Sequence, residues 1–273
     1  MTIDDRSINK NSNGSQGNTV AHTDFDKAFQ EGFRFQHKLP YRELETIEIS
    51  TTSIGEVILP SGQVVACDPL MDLDLEDKFM TQVAPGHYPV ILSLAGFPAT
   101  GERRIACAKL QITQKKPIRW EVATIYPDRP ADYQAYGVDS GTGSFLDLEA
   151  ARVIKQLAES DSVAYQNAYK EGKEAELKFI NEAGRRFEEE HCDLVIAQME
   201  ANRQQHRDDA YPYDRKGDWA NLTIDNRTSA NVITFSTGWG DGGYASYWGY
   251  DATGDIACLV TDFALFYEEE ANR

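Results

Sequence analysis

Four aspartates lie where the sequence pattern predicts strand ends or glycine-rich turns: Asp68, Asp139, Asp241 and Asp262. If the fold brings their carboxylates together, they could bind a hard cation or act as a general acid and a general base. Aspartates in turns also accept hydrogen bonds from backbone amides, which requires no shared site. The four residues therefore leave two hypotheses open, a cation-binding or hydrolytic site and a set of separate structural turns.

One of these aspartates opens the segment Asp139-Ser140-Gly141-Thr142-Gly143. An aspartic protease uses such an Asp-Ser-Gly triplet, but it needs two of them to share a proton, and the chain has one. The string is also similar to the first phosphate loop of actin-like kinases and ATPases, whose fold alternates strands with helices. No helix is predicted between the strands here, so we favour a structural turn capped by Asp139.

A second glycine-rich segment, from Gly238 to Tyr244, reads GWGDGGY. Trp239 and Tyr244 could form a stacking platform for a flat ligand, with Asp241 as its polar anchor. The alternative is a tight hairpin or bulge whose aromatic side chains cover the sheet. Both alternatives stay open, and Asp68, Asp139, Trp239, Asp241, Tyr244 and Asp262 are the candidate residues for binding a ligand or partner.

The familiar signatures of enzymes and metal sites are absent from the sequence. There is no Walker phosphate loop, no nucleophile elbow and no dinucleotide fingerprint. The histidines and cysteines lack the spacing of a zinc or redox site, so we expect no metal and no cofactor. The four cysteines are expected to be buried, inert thiols: Cys67, Cys107, Cys192 and Cys258.

The elements that must position these residues form two runs of short strands, one over 44–139 and one over 218–263. The strands of the first run are too closely spaced for crossover helices, which predicts antiparallel connections. Within that run, EVILP and QVVACDP are predicted to pair as a hairpin around Pro60 to Gly62. A charged helical block over about 145–209 separates the two runs.

Helical spacing in this block begins near Phe145, and Asp161 or Ser162 is a candidate N-cap for a second helix. Gly172 and Gly184 are expected to divide the rest into shorter helices. The fold class is therefore α+β, predominantly antiparallel β, a sandwich or open barrel. We expect a disordered leader over 1–24 and a single domain over 25–273, with two small domains as the alternative.

The net charge of the chain disfavours two classes of binding partner. The chain of 273 residues has 27 basic and 44 acidic side chains, a net charge of −17, and a mean hydropathy of −0.51. Direct binding to nucleic acid or to an anionic membrane is disfavoured, because both rely on Lys and Arg. No signal peptide or membrane-spanning run is seen, so we expect a soluble, cytoplasmic protein. The oligomeric state does not follow from the sequence.

Several segments together resemble a bacterial family known as domain of unknown function number 4241. They are LPSGQVVACDPL, APGHYPVILSLA, RIACAKL, IRWEVA, YGVDSGTGSFLD and FSTGWGDGGYASYWGYDATGDIACLVTDF. The resemblance spans roughly Ile54 to Phe263 and implies an intracellular bacterial protein with a β-rich fold. It implies no activity and no catalytic residue.

Two functional hypotheses follow. The first is an acidic binding protein, an immunity- or antitoxin-like inhibitor that captures a basic protein partner through its helical block. The second is a cation-dependent hydrolase or small-ligand-binding domain that uses the strand-end aspartates. A scaffold without any ligand is the third possibility.

Overall fold

The computed structural model describes residues 23–38, 43–71, 78–182 and 187–266, with residues 180–182 described by their backbone only. Most of the predicted leader and the acidic tail at 268–270 lie outside these ranges. At the start of the described chain, Thr23 is buried and Asp24 precedes the first helix.

Thirteen strands occur among the described residues, and they form two mainly antiparallel sheets. The larger sheet has nine strands, in the order β1-β2-β4-β5-β13-β12-β6, with β7 paired to β12 and β9 paired in parallel to β5. These strands are β1 (Arg34–His37), β2 (Glu45–Leu59), β4 (Gly86–Phe97), β5 (Glu102–Gln111), β6 (Arg119–Val122), β7 (Ala135–Val138), β9 (Tyr213–Asp214), β12 (Gly242–Tyr250) and β13 (Ile256–Asp262).

The smaller sheet has four strands in the order β10-β11-β8-β3. They are β3 (Val64–Val65), β8 (Thr142–Asp147), β10 (Trp219–Asp225) and β11 (Ala230–Ser236). The α+β, antiparallel prediction is confirmed, and the described strands do not close into a barrel.

Helices occupy the chain mainly between β8 and β9. They are α1 (Phe25–Ala28), α2 (Leu148–Glu171), α3 (Lys173–Glu182) and α4 (Asp193–Gln205), with a π-helical turn at Glu188–Cys192 and a 3₁₀ turn at Ala131–Tyr133. The predicted division at Gly172 is confirmed, because α2 ends there.

Three apolar layers hold the sheets and helices together. Ile54 and Leu92 of the larger sheet pack with Ile233 of the smaller sheet in the core between the sheets. The outer face of the larger sheet is covered by Phe25 of α1, among others. On the other side, α2 packs on the smaller sheet through Ile154. Strand β8 is thus covered on both faces, which explains why all six of its residues are buried.

The predicted hairpin between EVILP and QVVACDP is wrong. Strand β2 pairs with β4 in the larger sheet, whereas β3 pairs with β8 in the smaller one. The turn from Pro60 to Gly62 therefore carries the chain from one sheet to the other. A hairpin and such a crossover have the same local signal, two apolar runs around a turn, and only tertiary contacts distinguish them.

Two details of the predicted helical block are also corrected. Residues from Phe145 to Asp147 belong to β8, and α2 begins after Asp147, whose carboxylate accepts the Glu149 amide at 2.8 Å. Asp161 is not an N-cap, since α2 continues through it to Glu171. Its carboxylate instead accepts the amide of Phe187 at 2.7 Å, which ties the far end of the helical block back to α2.

Candidate functional site

Asp68 lies in the loop after β3 and holds the turn between β7 and β8. It is 6% exposed. Its Oδ2 accepts the backbone amides of Asp139 and Ser140 at 2.9 and 2.7 Å, and its Oδ1 accepts the Ser140 hydroxyl at 2.7 Å and the Leu70 amide at 3.0 Å. Both oxygens of Asp68 are therefore used to fix backbone. The turn is capped by Asp68, whereas the sequence suggested Asp139.

Asp139 and Asp241 lie at the same end of the β7–β12 strand pair. Val138 of β7 is paired with Gly242 of β12, so the two exposed aspartates lie next to each other just beyond this pair. An Oδ1 of Asp241 lies 3.9 Å from where a Cβ on Gly141 would be. Three of the four predicted aspartates, Asp68 included, thus belong to one loop cluster.

Asp262 is the fourth of the predicted aspartates. It ends β13 opposite Cys107 of β5, with the Cys107 Sγ at 4.0 Å from its Oδ1. The same oxygen accepts the amide of Ala264 at 3.0 Å. Asp262 therefore holds the turn that follows the last strand.

Trp239 and Tyr244 do not share one surface. Trp239 is 44% exposed, and its ring is covered by the Arg104 guanidinium at 4.3 Å. Tyr244 is buried, packs edge-on against Phe263, and donates its hydroxyl hydrogen to the Gly240 carbonyl at 2.6 Å. These contacts are those expected of a hairpin whose aromatic side chains pack against the sheet.

The described residues contain no group of three or more His, Cys, Asp or Glu side chains that could hold a metal ion. All four cysteines are free and buried, which confirms that prediction. Burial raises the pKa of Cys107 well above its ordinary value, and it raises the pKa of Cys192 to about 11 and that of Cys258 to about 12. These thiols are protonated near neutral pH and are therefore poor nucleophiles.

The loop that contains Asp68 also contacts the π-helical turn. The Pro69 carbonyl accepts a hydrogen bond from Nε2 of buried His191 at 2.8 Å, and Cys192 Sγ donates to the Leu70 carbonyl at 3.8 Å. Burial lowers the pKa of His191, so its imidazole is neutral, with the proton on Nε2. One short loop therefore fixes both the turn at Ser140 and the start of α4.

The π-helical turn and α4 form a surface that motif searching missed. Residues 187–200 contain five acidic residues and no Lys or Arg. Leu194 and Ile196 remain 52% and 45% exposed, because α4 packs on β10 through Val195 and Met199 instead. We call this the acidic surface; it consists of Glu188, Glu189, Glu190, Asp193, Leu194, Ile196 and Glu200. Arg185 and Arg186 precede it outside the described residues.

A groove of about 350 Å³ borders the acidic surface between α2 and β10. Its apolar walls include Val153 and Leu157 of α2 and Ile224 of β10, and Glu190 lies at its rim. An aliphatic stem with a cationic end could lie in such a groove, with its methylene groups on the apolar walls and its charge near the carboxylate. The geometry therefore suits a Lys or Arg side chain of a partner.

The signal for this surface was present in the sequence but was incomplete. The run Glu188-Glu189-Glu190 is visible, as is the charged block of −5 over residues 171–209. The π-helical turn determines which apolar residues of α4 face outward. Its wider turn rotates α4 about the helix axis relative to the preceding residues. That rotation could not be read from the apolar spacing.

Comparison with known proteins adds the family. No helix of the described chain is long and apolar enough to cross a membrane. Neither a curated protein nor a solved structure matches the chain. The family model described as "Protein of unknown function (DUF4241)" matches residues 57–261, a range that contains strands of both sheets and all the helices from α2 to α4. Since this match covers more than half of the sequence, the chain belongs to the DUF4241 family.

Proposed function

We propose that this protein binds a basic protein partner through the acidic surface, and that it acts as an immunity- or antitoxin-like inhibitor in the bacterial cytoplasm. The observation that carries the proposal is the combination of five carboxylates with exposed Leu194 and Ile196 on one short stretch. Carboxylates attract and orient a cationic partner over several ångströms, whereas the exposed aliphatic side chains supply apolar area to bury in the complex.

The groove beside the acidic surface supports a specific mode of contact. Beside Glu190, the groove presents the apolar side chains of Val153 and Leu157 together with polar side chains such as Gln156 and Thr223. A Lys or Arg of the partner inserted there would be a central anchor of the kind that dominates the energetics of interfaces. The net charge of −17 would add long-range steering and a fast association rate.

The test measures binding of the purified full chain to basic proteins encoded by neighbouring genes, by calorimetry at low and at high NaCl. Reversing two charges with Glu189→Lys and Asp193→Lys is expected to weaken binding by at least about tenfold and to reduce its salt dependence. Leu194→Ala with Ile196→Ala should weaken binding while leaving the salt dependence unchanged.

The matched control carries the same change in charge elsewhere. Glu43→Lys with Asp128→Lys alters two exposed acids, before β2 and after β6, and should leave the affinity within about twofold at physiological salt. Equal losses in both charge-reversed pairs would show that only net charge matters. That result, or binding that is indifferent to salt, would overturn the proposal.

The second candidate function remains the cation-dependent hydrolase or small-ligand-binding domain. The observation in its favour is that the exposed residues Asp139 and Asp241 flank the same paired position of β7 and β12. If they hold a cation, Mg²⁺, Ca²⁺ or Mn²⁺ raises the melting temperature, and Asp241→Asn abolishes that rise. Melting that none of the three cations shifts would exclude this use of the pair.

A further inference from the structure

A second cavity lies on the outer face of the larger sheet, and its lining residues come from segments outside the acidic surface. It has a volume of about 210 Å³ and is bounded by α1, β5 and the segment leading into β6. The rings of Phe25, Phe29 and Trp120 contribute to its lining, with Phe25 and Trp120 only 4.6 Å apart between ring centroids. We call it the aromatic cavity. It is a partly open space that a small, flat molecule could enter.

Lys109 brings a positive charge into the aromatic cavity from near the end of β5. Its neighbours on the strand, Ala108 and Leu110, face the core between the sheets, so Lys109 faces the outer side. Its ammonium lies 4.3 Å from the centroid of the Phe29 ring. Within the described part of the chain, this ammonium makes no hydrogen bond and no ion pair. Burial lowers the pKa of Lys109, and an interaction with Cys258 opposes that shift.

The other lysines that line the cavity are already paired. Lys115 Nζ lies 2.6 Å from Asp251 and 3.3 Å from Asp255, and Lys116 Nζ lies 3.0 Å from Asp26. Their charges are therefore balanced by carboxylates of this chain. The protein has an excess of 17 acidic side chains, yet no carboxylate among the described residues forms an ion pair with Lys109.

A partly desolvated ammonium is costly unless an anion accompanies it. The carboxylate of Asp26 also lines the cavity, but it is paired with Lys116. The rings favour a planar partner through dispersion and ring contacts. We propose that the aromatic cavity binds a small planar organic carboxylate, whose anionic group pairs with Lys109 and whose flat body lies against Phe29 and Trp120. This site is independent of the acidic surface, and neither proposal requires the other.

The ligand class is chosen by the two features together. An inorganic anion such as phosphate would satisfy the Lys109 charge but would place a strongly hydrated group against the aromatic rings. A neutral aromatic molecule would fill the cavity but leave the ammonium without a counter-charge. Only a molecule with both features uses both the charge and the walls, and its size is limited by the volume of the cavity.

The test titrates the full chain with three probes by calorimetry: benzoate, benzyl alcohol and inorganic phosphate. Benzoate is expected to bind at least about tenfold more tightly than either of the other two. Lys109→Met keeps the length and apolar stem of the side chain but removes its charge, and should reduce benzoate affinity at least about tenfold. Lys170→Met, at an exposed position of α2, is the matched control and should bind benzoate like the wild type.

Lys109→Met should fold, because it removes a poorly solvated charge, and its melting temperature should equal or exceed that of the wild type. If it does not fold, Lys109→Gln takes its place, and the comparison of the three probes on the wild type needs no variant. The proposal is overturned if the wild type does not bind benzoate, if phosphate or benzyl alcohol binds as tightly, or if the uncharged variant retains the benzoate affinity.

Discussion

At the scale of single residues, aspartates that look equivalent in the sequence have different uses. Asp68 accepts four hydrogen bonds from the chain, and Asp251 accepts the amides of Thr253 and Asp255 at 2.8 and 3.0 Å. Within the described ranges, the carboxylate of Asp139 accepts no hydrogen bond. Most of these carboxylates therefore serve the backbone, because a buried amide without a partner costs more than an exposed one.

The first prediction distinguishes these uses. Asp68→Ala leaves the amides of Asp139 and Ser140 without their acceptor and should lower the free energy of unfolding by about 2–3 kcal/mol. Asp139→Ala changes an exposed side chain of the same turn and should change the free energy of unfolding by less than about 0.5 kcal/mol. Urea denaturation of both variants measures this difference. Similar effects from the two substitutions would contradict the assignment of Asp68 as the cap of the turn.

The second prediction concerns acid stability. Hydrogen bonding to Lys115, followed by that to Thr253, lowers the pKa of Asp251 below its ordinary value of 3.8. A carboxylate whose pKa is lower in the folded than in the unfolded chain stabilises the fold above the unfolded value, and this contribution disappears as the pH falls towards the folded value. Asp251→Asn should therefore be less stable than the wild type at neutral pH, and the gap should narrow below about pH 4.

Thermal unfolding as a function of pH measures this gap. Asp255→Asn is a suitable comparison, since Asp255 is also near Lys115 but is exposed. Its effect should be smaller at every pH. A constant difference between Asp251→Asn and the wild type across the acid range would rule out linkage through Asp251.

At the scale of elements, the turn at Pro60 to Gly62 determines how the two sheets are connected. Gly62 has a φ of +72°, and a Cβ at this position would lie 2.1 Å from the carbonyl oxygen of Val83. The preceding Ser61 is held by the Asp147 carboxylate through its amide at 3.0 Å and through its hydroxyl. The crossover is thus fixed by contacts from two distant segments.

The third prediction tests this crossover with two glycines. Gly62→Ala should destabilise the protein by at least about 3 kcal/mol, because left-handed backbone strain of about 1 kcal/mol is joined by a clash with backbone. Gly254, in the turn before β13, has a φ of +86° but open space around it. Gly254→Ala should therefore cost only about 1 kcal/mol. Equal losses in urea denaturation would show that the Val83 contact is unimportant.

At the scale of the whole molecule, each sheet combines strands from the two halves of the chain. Strand β5 pairs with β13 in the larger sheet, and β8 pairs with β11 in the smaller sheet. The helical block lies between these halves in sequence and covers the smaller sheet through α2 and α4. Charge is distributed unevenly over the molecule. The acidic surface is dense in carboxylates, whereas the aromatic cavity is lined by the ammonium of Lys109.

Local patterns were sufficient for much of this fold. Closely spaced turns predicted antiparallel connections, as observed between β4 and β5, and the strands of the last run lie where the sequence indicated. Local rules work there because antiparallel neighbours joined by short turns are adjacent in sequence as well as in space. The pairing of β3 with β8 was beyond those rules, since it depends on which sheet offers the better apolar contacts.

The candidate sites divide in the same way. Sequence alone determined the acidic composition, the buried thiols, the family resemblance and the glycine-rich loops with their aspartates. Tertiary structure decided that Asp68 serves the backbone, that Asp139 and Asp241 flank one paired position of β7 and β12, and that Lys109 faces a ring-lined cavity. Lys109 alternates with Ala108 and Leu110, a pattern typical of a strand with one solvent-facing side, and a sequence does not show that Phe29, 80 residues earlier, lies over that side. Residue type is a local property, whereas burial, convergence and the lack of a counter-charge arise from chain segments that only folding brings together.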